Sequence, residues 1–264
     1  MNKVIRAEFG RTINAGLIIA IAGIIFSICF DSFNDLIAGL RNGQGYVGYF
    51  FSNAAFGGMC TKYMLPVFTA LPFSVSLCQE RNNKAVSYIV SREGKNRYIF
   101  AKFIVSAISG GFVAACGTVL LFLMLAMPFP IAGDEFEGAV VSDYFHEWSA
   151  VYYPQLYILT LSILAFCRGV IWSSLALCVS LYTSDFMVVL LSPFLGSYVL
   201  VRIFQIIRVP DMVRPDMILI GQVVIKSSGL TLLIAIAISL TIVTLIGAFF
   251  VGKMKEGLKS GTIY

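Results

Sequence analysis

Residues 78–103 read CQERNNKAVSYIVSREGKNRYIFAKF. They form a polar interruption in a chain that is 58% hydrophobic and 12% charged, with a mean hydropathy of +0.87. Six basic residues lie in it, Arg81, Lys84, Arg92, Lys95, Arg97 and Lys102, against two acidic ones, Glu80 and Glu93. A soluble domain carries about 25% charged residues. At half that proportion these 264 residues cannot clothe a water-facing surface, so the chain reads as an all-α polytopic membrane protein and the quoted stretch as a connection between spans.

Outward from that connection the apolar runs set the spans. A membrane-crossing helix needs about 20 largely apolar residues. Six segments supply them: 13–30, 54–79, 103–127, 155–182, 186–207 and 229–252. Pro66, Pro72 and Pro193 are expected to bend their helices, which membrane helices tolerate when neighbours satisfy the freed carbonyls. Lys62 and Arg202 fall near span ends, where long side chains snorkel to the interface. The run GLIIAIAGIIFSICF resembles the core of a signal peptide, but DSFND follows it without small residues spaced for cleavage, so it reads as a retained first span.

Lys and Arg set the orientation. Lys3, Arg6 and Arg11 precede the first span, six lie in the quoted loop, and Lys253, Lys255 and Lys259 follow the last span, twelve of 19 in all. Residues 128–154 hold no basic residue but carry Asp134, Glu135, Glu137, Asp143 and Glu147. Both termini and the 80–102 loop are therefore expected in the cytoplasm, with 128–154 as an acidic extracellular loop and 1–264 as one transmembrane domain. Charge clustered between apolar runs is a topology signal, not a nucleic-acid footprint.

The loop carries more than charge. Val86, Ile89 and Val90 stand at i, i+3 and i+4 and share one face of a short helix, which Gly94 would stop. Such a face either lies on the lipid surface or docks on a partner. In residues 1–14, Ile5, Phe9 and Ile13 recur beside Lys3, Arg6 and Arg11, a pattern that suits an interfacial amphipathic helix or a plain basic flank. Residues 208–228 place two prolines around MILIGQVVI, too short to cross, and read as a re-entrant hairpin or an ordinary outer loop.

With these features together, the stretch PVFTALPFSVSLCQERNNKAVSYIVSREGKNRYIFAKF resembles the transmembrane subunit of an ABC-2 type transporter. Glu80 stands where the family ends its second span in Glu, and Ser91, Arg92 and Lys102 resemble the later part of its loop motif. Asn83-Lys84-Ala85 replaces a frequent Gly-Thr, and no proline precedes Ser91. The resemblance implies a type V exporter-like architecture in a bacterial plasma membrane, with two copies or a homologue forming the substrate pathway. It also implies two separate cytoplasmic ATPase subunits, which would bind ATP and Mg²⁺ and dock on Glu80, Arg81, Lys84, Val86, Ile89, Val90 and Arg92.

No cofactor, metal or catalytic residue is expected in this chain. Gly247 to Lys253 matches G-x-x-x-x-G-K, but Met254 replaces Ser/Thr and the run ends an apolar helix. His146 sits alone in the acidic loop, and the six cysteines show no C-x-x-C spacing. Arg168 lies mid-span, where insertion costs about 2.5–3.5 kcal/mol, and reads either as a site on the pathway or as a tie between spans. Gly110/Ala114 and Gly111/Ala115 have small-xxx-small spacing for close packing. Two rivals fit the composition: a non-transporting scaffold, immunity or sensor protein, and a secondary transporter, for which no midplane acid or internal repeat is seen.

Overall fold

A computed structural model describes residues 2–42, 58–130, 154–221 and 227–260, together with 47, 50, 223 and 225. Their regular structure is helical, with no strand among the described residues. In chain order the helices are α1 (Asn2–Thr12), α2 (Ala15–Asp31), α3 (Phe33–Asn42), α4 (Met59–Ala70), α5 (Ser76–Asn82), α6 (Val86–Glu93) and α7 (Lys95–Leu125). After the acidic segment come α8 (Pro154–Val179), α9 (Phe186–Ile207), a 3₁₀ turn (Asp211–Val213), α10 (Pro215–Ile220) and α11 (Ser228–Ser260). Four of these, α7, α8, α9 and α11, are long and apolar enough to cross a membrane; α1 and α2, bent by 56° at their junction, make a fifth if taken as one span. The protein is an all-helical, membrane-embedded polytopic protein.

The expectation of six continuous spans needs correction at the second. Residues 54–79 do not form one helix: α4 stops at Ala70, a turn follows, and α5 restarts at Ser76. Pro72 causes the break, because its nitrogen has no hydrogen to donate and its ring opposes the preceding helical turn. α4 starts with help from another helix. The Asp31 carboxylate, at the end of α2, accepts from the amides of Cys60 (3.0 Å) and Thr61 (2.6 Å), satisfying donors that a helix N-terminus leaves open.

Other boundaries move outward. α7 begins at Lys95, so the second half of the 80–102 loop is already helix, and α11 runs on to Ser260. At about 1.5 Å per residue these helices span roughly 46 and 50 Å, well beyond a hydrocarbon core of about 30 Å. Among the described residues of 208–228 lie the 3₁₀ turn and the six-residue α10, whose Ile218 and Leu219 are buried against α8 and α11. Residues 131–153, most of the acidic loop and His146 with it, lie outside the described residues.

α8 is the centre of the bundle, two thirds buried along its apolar stretch, and it packs on α4, α7, α9, α10 and α11. Its crossing with α7 is close enough to exclude side chains. A Cβ on Gly169 would stand 2.4 Å from the Gly110 carbonyl oxygen, and one on Gly111 would stand 2.6 Å from Val170. Serines bind the crossing beside these glycines. Ser173 Oγ donates to the Ser106 carbonyl (3.0 Å), and Ser74, in the turn between α4 and α5, donates to the Ser173 carbonyl (3.0 Å). Interhelical hydrogen bonds of this kind are worth about 0.6 kcal/mol each in membrane bundles, so close backbone packing is the larger contribution. In contrast, α9 and α11 turn most of their apolar surface outward.

Candidate functional site

Four charged side chains converge where α1, α5 and α7 meet. α5 carries Glu80, 2% exposed; α7 carries Lys102, which is fully buried. Glu80 Oε1 accepts from Lys102 Nζ (2.7 Å) and from Arg11 of α1, while Oε2 accepts from the Tyr98 hydroxyl. Glu8, also on α1 and buried, completes the set: its Oε2 lies 3.3 Å from Lys102 Nζ and its Oε1 lies 3.4 Å from Arg11. Lys102 Nζ also sits 4.8 Å from the centre of the Phe73 ring, a cation–π contact that compensates part of its lost hydration. Two carboxylates and two cations thus balance within one hydrogen-bonded cluster.

Burial opposes the charge of Glu80, and the hydrogen bonds from Lys102, Tyr98 and Arg11 offset that cost. Each member has a local reason to be there. α1 turns Glu8 and Thr12 inward, so its buried face is polar, while Phe9 is half-buried and Ile13 is exposed. Asn14 caps α2 through its side chain on the Leu17 amide (3.2 Å), which fixes the bend that lays α1 across α7.

α5 leads straight into the α6 turn. Lys84 adopts a left-handed backbone (φ 51°) at that turn, and Gly94 (φ 86°) ends α6 before α7 begins. Val86 is fully buried, and Ile89 and Val90 are partly buried, in one apolar cluster with Leu77, Tyr98, Leu177, Phe250 and Met254. The three thus belong to the chain's own core, with α7 as the helix on which α6 packs most. The face left open is Lys84, Ser87, Tyr88, Ser91 and Arg92, with Tyr88 68% exposed at its centre. Arg81 is likewise turned inward. Its guanidinium donates to the carbonyls of Ser180 (2.9 Å) and Leu181 (3.2 Å), just beyond the end of α8. Lys95 Nζ donates to the Lys255 carbonyl (3.0 Å), tying the start of α7 to the end of α11.

Arg168 stands apart from this cluster. It is 8% exposed and donates to the Thr61 carbonyl at 3.1 Å, which ties α8 to α4. Arg202 is exposed and bonds within its own helix, to Tyr198 (3.3 Å) and Gln205 (3.2 Å). The segment from Gly247 to Lys253 lies inside α11, and all six cysteines are free. Among the described residues no group of His, Cys, Asp and Glu has the arrangement of a metal site.

Glu80 and Lys102, 22 residues apart, are brought together; Glu8, Arg11 and Tyr98 join them without having been singled out as site residues. Glu8 is a lone acid in a basic amphipathic segment, and no spacing rule pairs it with a lysine 94 residues away. Compared with protein-family models, curated proteins and solved structures, the chain shows no match.

Proposed function

We propose that this protein is the permease subunit of an ATP-driven exporter of the ABC-2 kind, resident in a bacterial plasma membrane. In this reading the ends of the chain and α6 face the cytoplasm, and the broken α4–α5 segment and the α1–α2 pair count as spans, giving six. Two copies, or this chain with a homologue, form the pathway. Two separate ATPase subunits bind ATP and Mg²⁺ and dock on α6.

One observation carries the reading. α6 is a short helix whose inner face belongs to a buried apolar cluster with residues of α5, α7, α8 and α11, and whose outer face, Lys84, Ser87, Tyr88, Ser91 and Arg92, is exposed and basic. A displacement applied to that outer face reaches α5 through the Lys84 turn, and from there the Glu80–Lys102–Glu8 cluster links it to α7 and α1. A buried, hydrogen-bonded cluster moves as a unit because separating its charges leaves them unpaired in a low-dielectric medium. α6 is thus a coupling element and the cluster its rigid mounting.

The test is to tag the chain, extract it in several mild detergents and assay the purified material for ATP hydrolysis. A soluble ATPase in roughly stoichiometric amount, lost in the Tyr88→Ala/Arg92→Glu double variant, is the expected result. A chain that emerges alone and without ATPase activity from every mild extraction overturns the reading and leaves a scaffold or sensor protein.

A further inference from the structure

A cavity of about 160 Å³ opens between α4, α8, α9, α10 and α11. Most of its wall is apolar, including Ile171, Trp172, Leu175, Leu200 and Ile246. Three charged residues enter it: Lys62, Arg168 and Asp216. Asp216 pairs with Arg214 at 2.8 Å, Arg214 also reaches Asp211 at 3.2 Å, and Asp216 attracts Lys62 and Arg168 only from beyond ion-pair distance. Lys62 and Arg168 have no carboxylate within ion-pair distance among the described residues.

This is an unbalanced site in a place where imbalance is costly. A guanidinium offers five N–H donors, and the one hydrogen bond from Arg168 goes to the Thr61 carbonyl. The Thr61 hydroxyl itself is buried without a hydrogen-bond partner among the described residues, beside a second cavity of about 60 Å³ that Arg168 also lines. Two cations without an ion pair on one mostly apolar wall repel each other, and Arg168, which is buried, lacks the hydration that would offset its charge. An anion placed between them would remove both penalties. The whole cavity is comparable in volume to one that admits a benzene ring, so it would accept the anion and the adjoining end of a hydrocarbon chain whose remainder lies along the outward apolar faces of α9 and α11.

We infer that this cavity binds an anionic amphiphile, its phosphate or carboxylate on Lys62 and Arg168 and its hydrocarbon against Trp172, Leu175, Leu200 and Ile246. The outward apolar faces of α9 and α11 give such a molecule a lateral route from the bilayer. The site belongs to this chain alone and does not depend on an ATPase partner.

The chain has two tryptophans, so a Trp148→Phe background leaves Trp172 as the reporter inside the cavity. Purified, delipidated protein is titrated with dodecyl phosphate, with dodecyltrimethylammonium and with inorganic phosphate. The expected result is a saturable change in Trp172 emission with dodecyl phosphate, none with the cationic amphiphile, and weaker binding of inorganic phosphate. Lys62→Gln and Arg168→Gln should each weaken dodecyl phosphate by roughly tenfold, the weight of one charge-assisted hydrogen bond. Lys62 is half-buried, so Lys62→Gln carries the test if Arg168→Gln fails to fold. Equal responses to the two amphiphiles, or an unchanged affinity in Lys62→Gln, overturn the assignment. A parallel arm in nanodiscs containing brominated phosphatidylglycerol identifies the source. Quenching of Trp172 there, reversed by Lys62→Gln, assigns a membrane lipid; dodecyl phosphate binding without such quenching assigns a free amphiphile.

Discussion

Two regions of this bundle bury positive charge and treat it in opposite ways. Lys102 is surrounded by Glu8, Glu80 and the rings of Tyr98 and Phe73, so its charge is matched by two carboxylates and two aromatic faces. Arg168 has a single carbonyl, and its neighbour Lys62 has no ion-pair partner among the described residues. A balanced cluster has the character of structure, because every member is committed to another. An unbalanced one is poised for something that arrives from outside. The contrast matters because both residues look alike by burial alone.

The largest effect expected from this contrast is on stability. Lys102→Met leaves two buried carboxylates with only the half-exposed Arg11, and breaking a buried pair in this way costs about 3–5 kcal/mol. Adding Glu80→Leu to the same chain should recover much of that loss, since the second uncompensated charge is gone. Arg168→Gln should cost no more than about 1.5 kcal/mol, one hydrogen bond, in delipidated protein. Thermal unfolding in a single detergent compares all three. If Arg168→Gln proves as damaging as Lys102→Met, the two regions are not different in kind.

Much of the bundle is legible in the chain because apolar length is a strong signal. α7, α8, α9 and α11 each fall on a segment that hydrophobicity alone picks out, and α6 is readable from Val86, Ile89, Val90 and the stop at Gly94. What escapes is set by interactions between distant segments. α3 is too short to register as a span, although Phe33, Ile37 and Leu40 form an exposed apolar stripe on it. The turn at Pro72 is stabilised in part by Ser74 bonding to α8, a partner 99 residues away that no local rule supplies. The charged cluster follows the same logic: Glu80 stands out beside a polar loop, but its partners on α1 and α7 appear only once those helices pack. Amphipathic periodicity finds the α6 stripe but does not say whether that stripe faces a partner or the protein itself.

That last ambiguity gives the smallest expected change in stability and a useful one. Tyr88 is two thirds exposed and has no ring partner among the described residues, so Tyr88→Ala should alter unfolding by no more than about 0.5 kcal/mol. Val86, two residues earlier, is buried among Leu77, Tyr98 and Phe250, and its truncation opens space in the core. If α6 transmits force from a partner to the balanced cluster, Tyr88→Ala should abolish ATPase association while leaving the unfolding midpoint unchanged. A measurable loss of stability in Tyr88→Ala would mean that its exposed face is already engaged within the chain. In that case α6 would be a structural clamp, and any partner would have to reach the cluster from elsewhere.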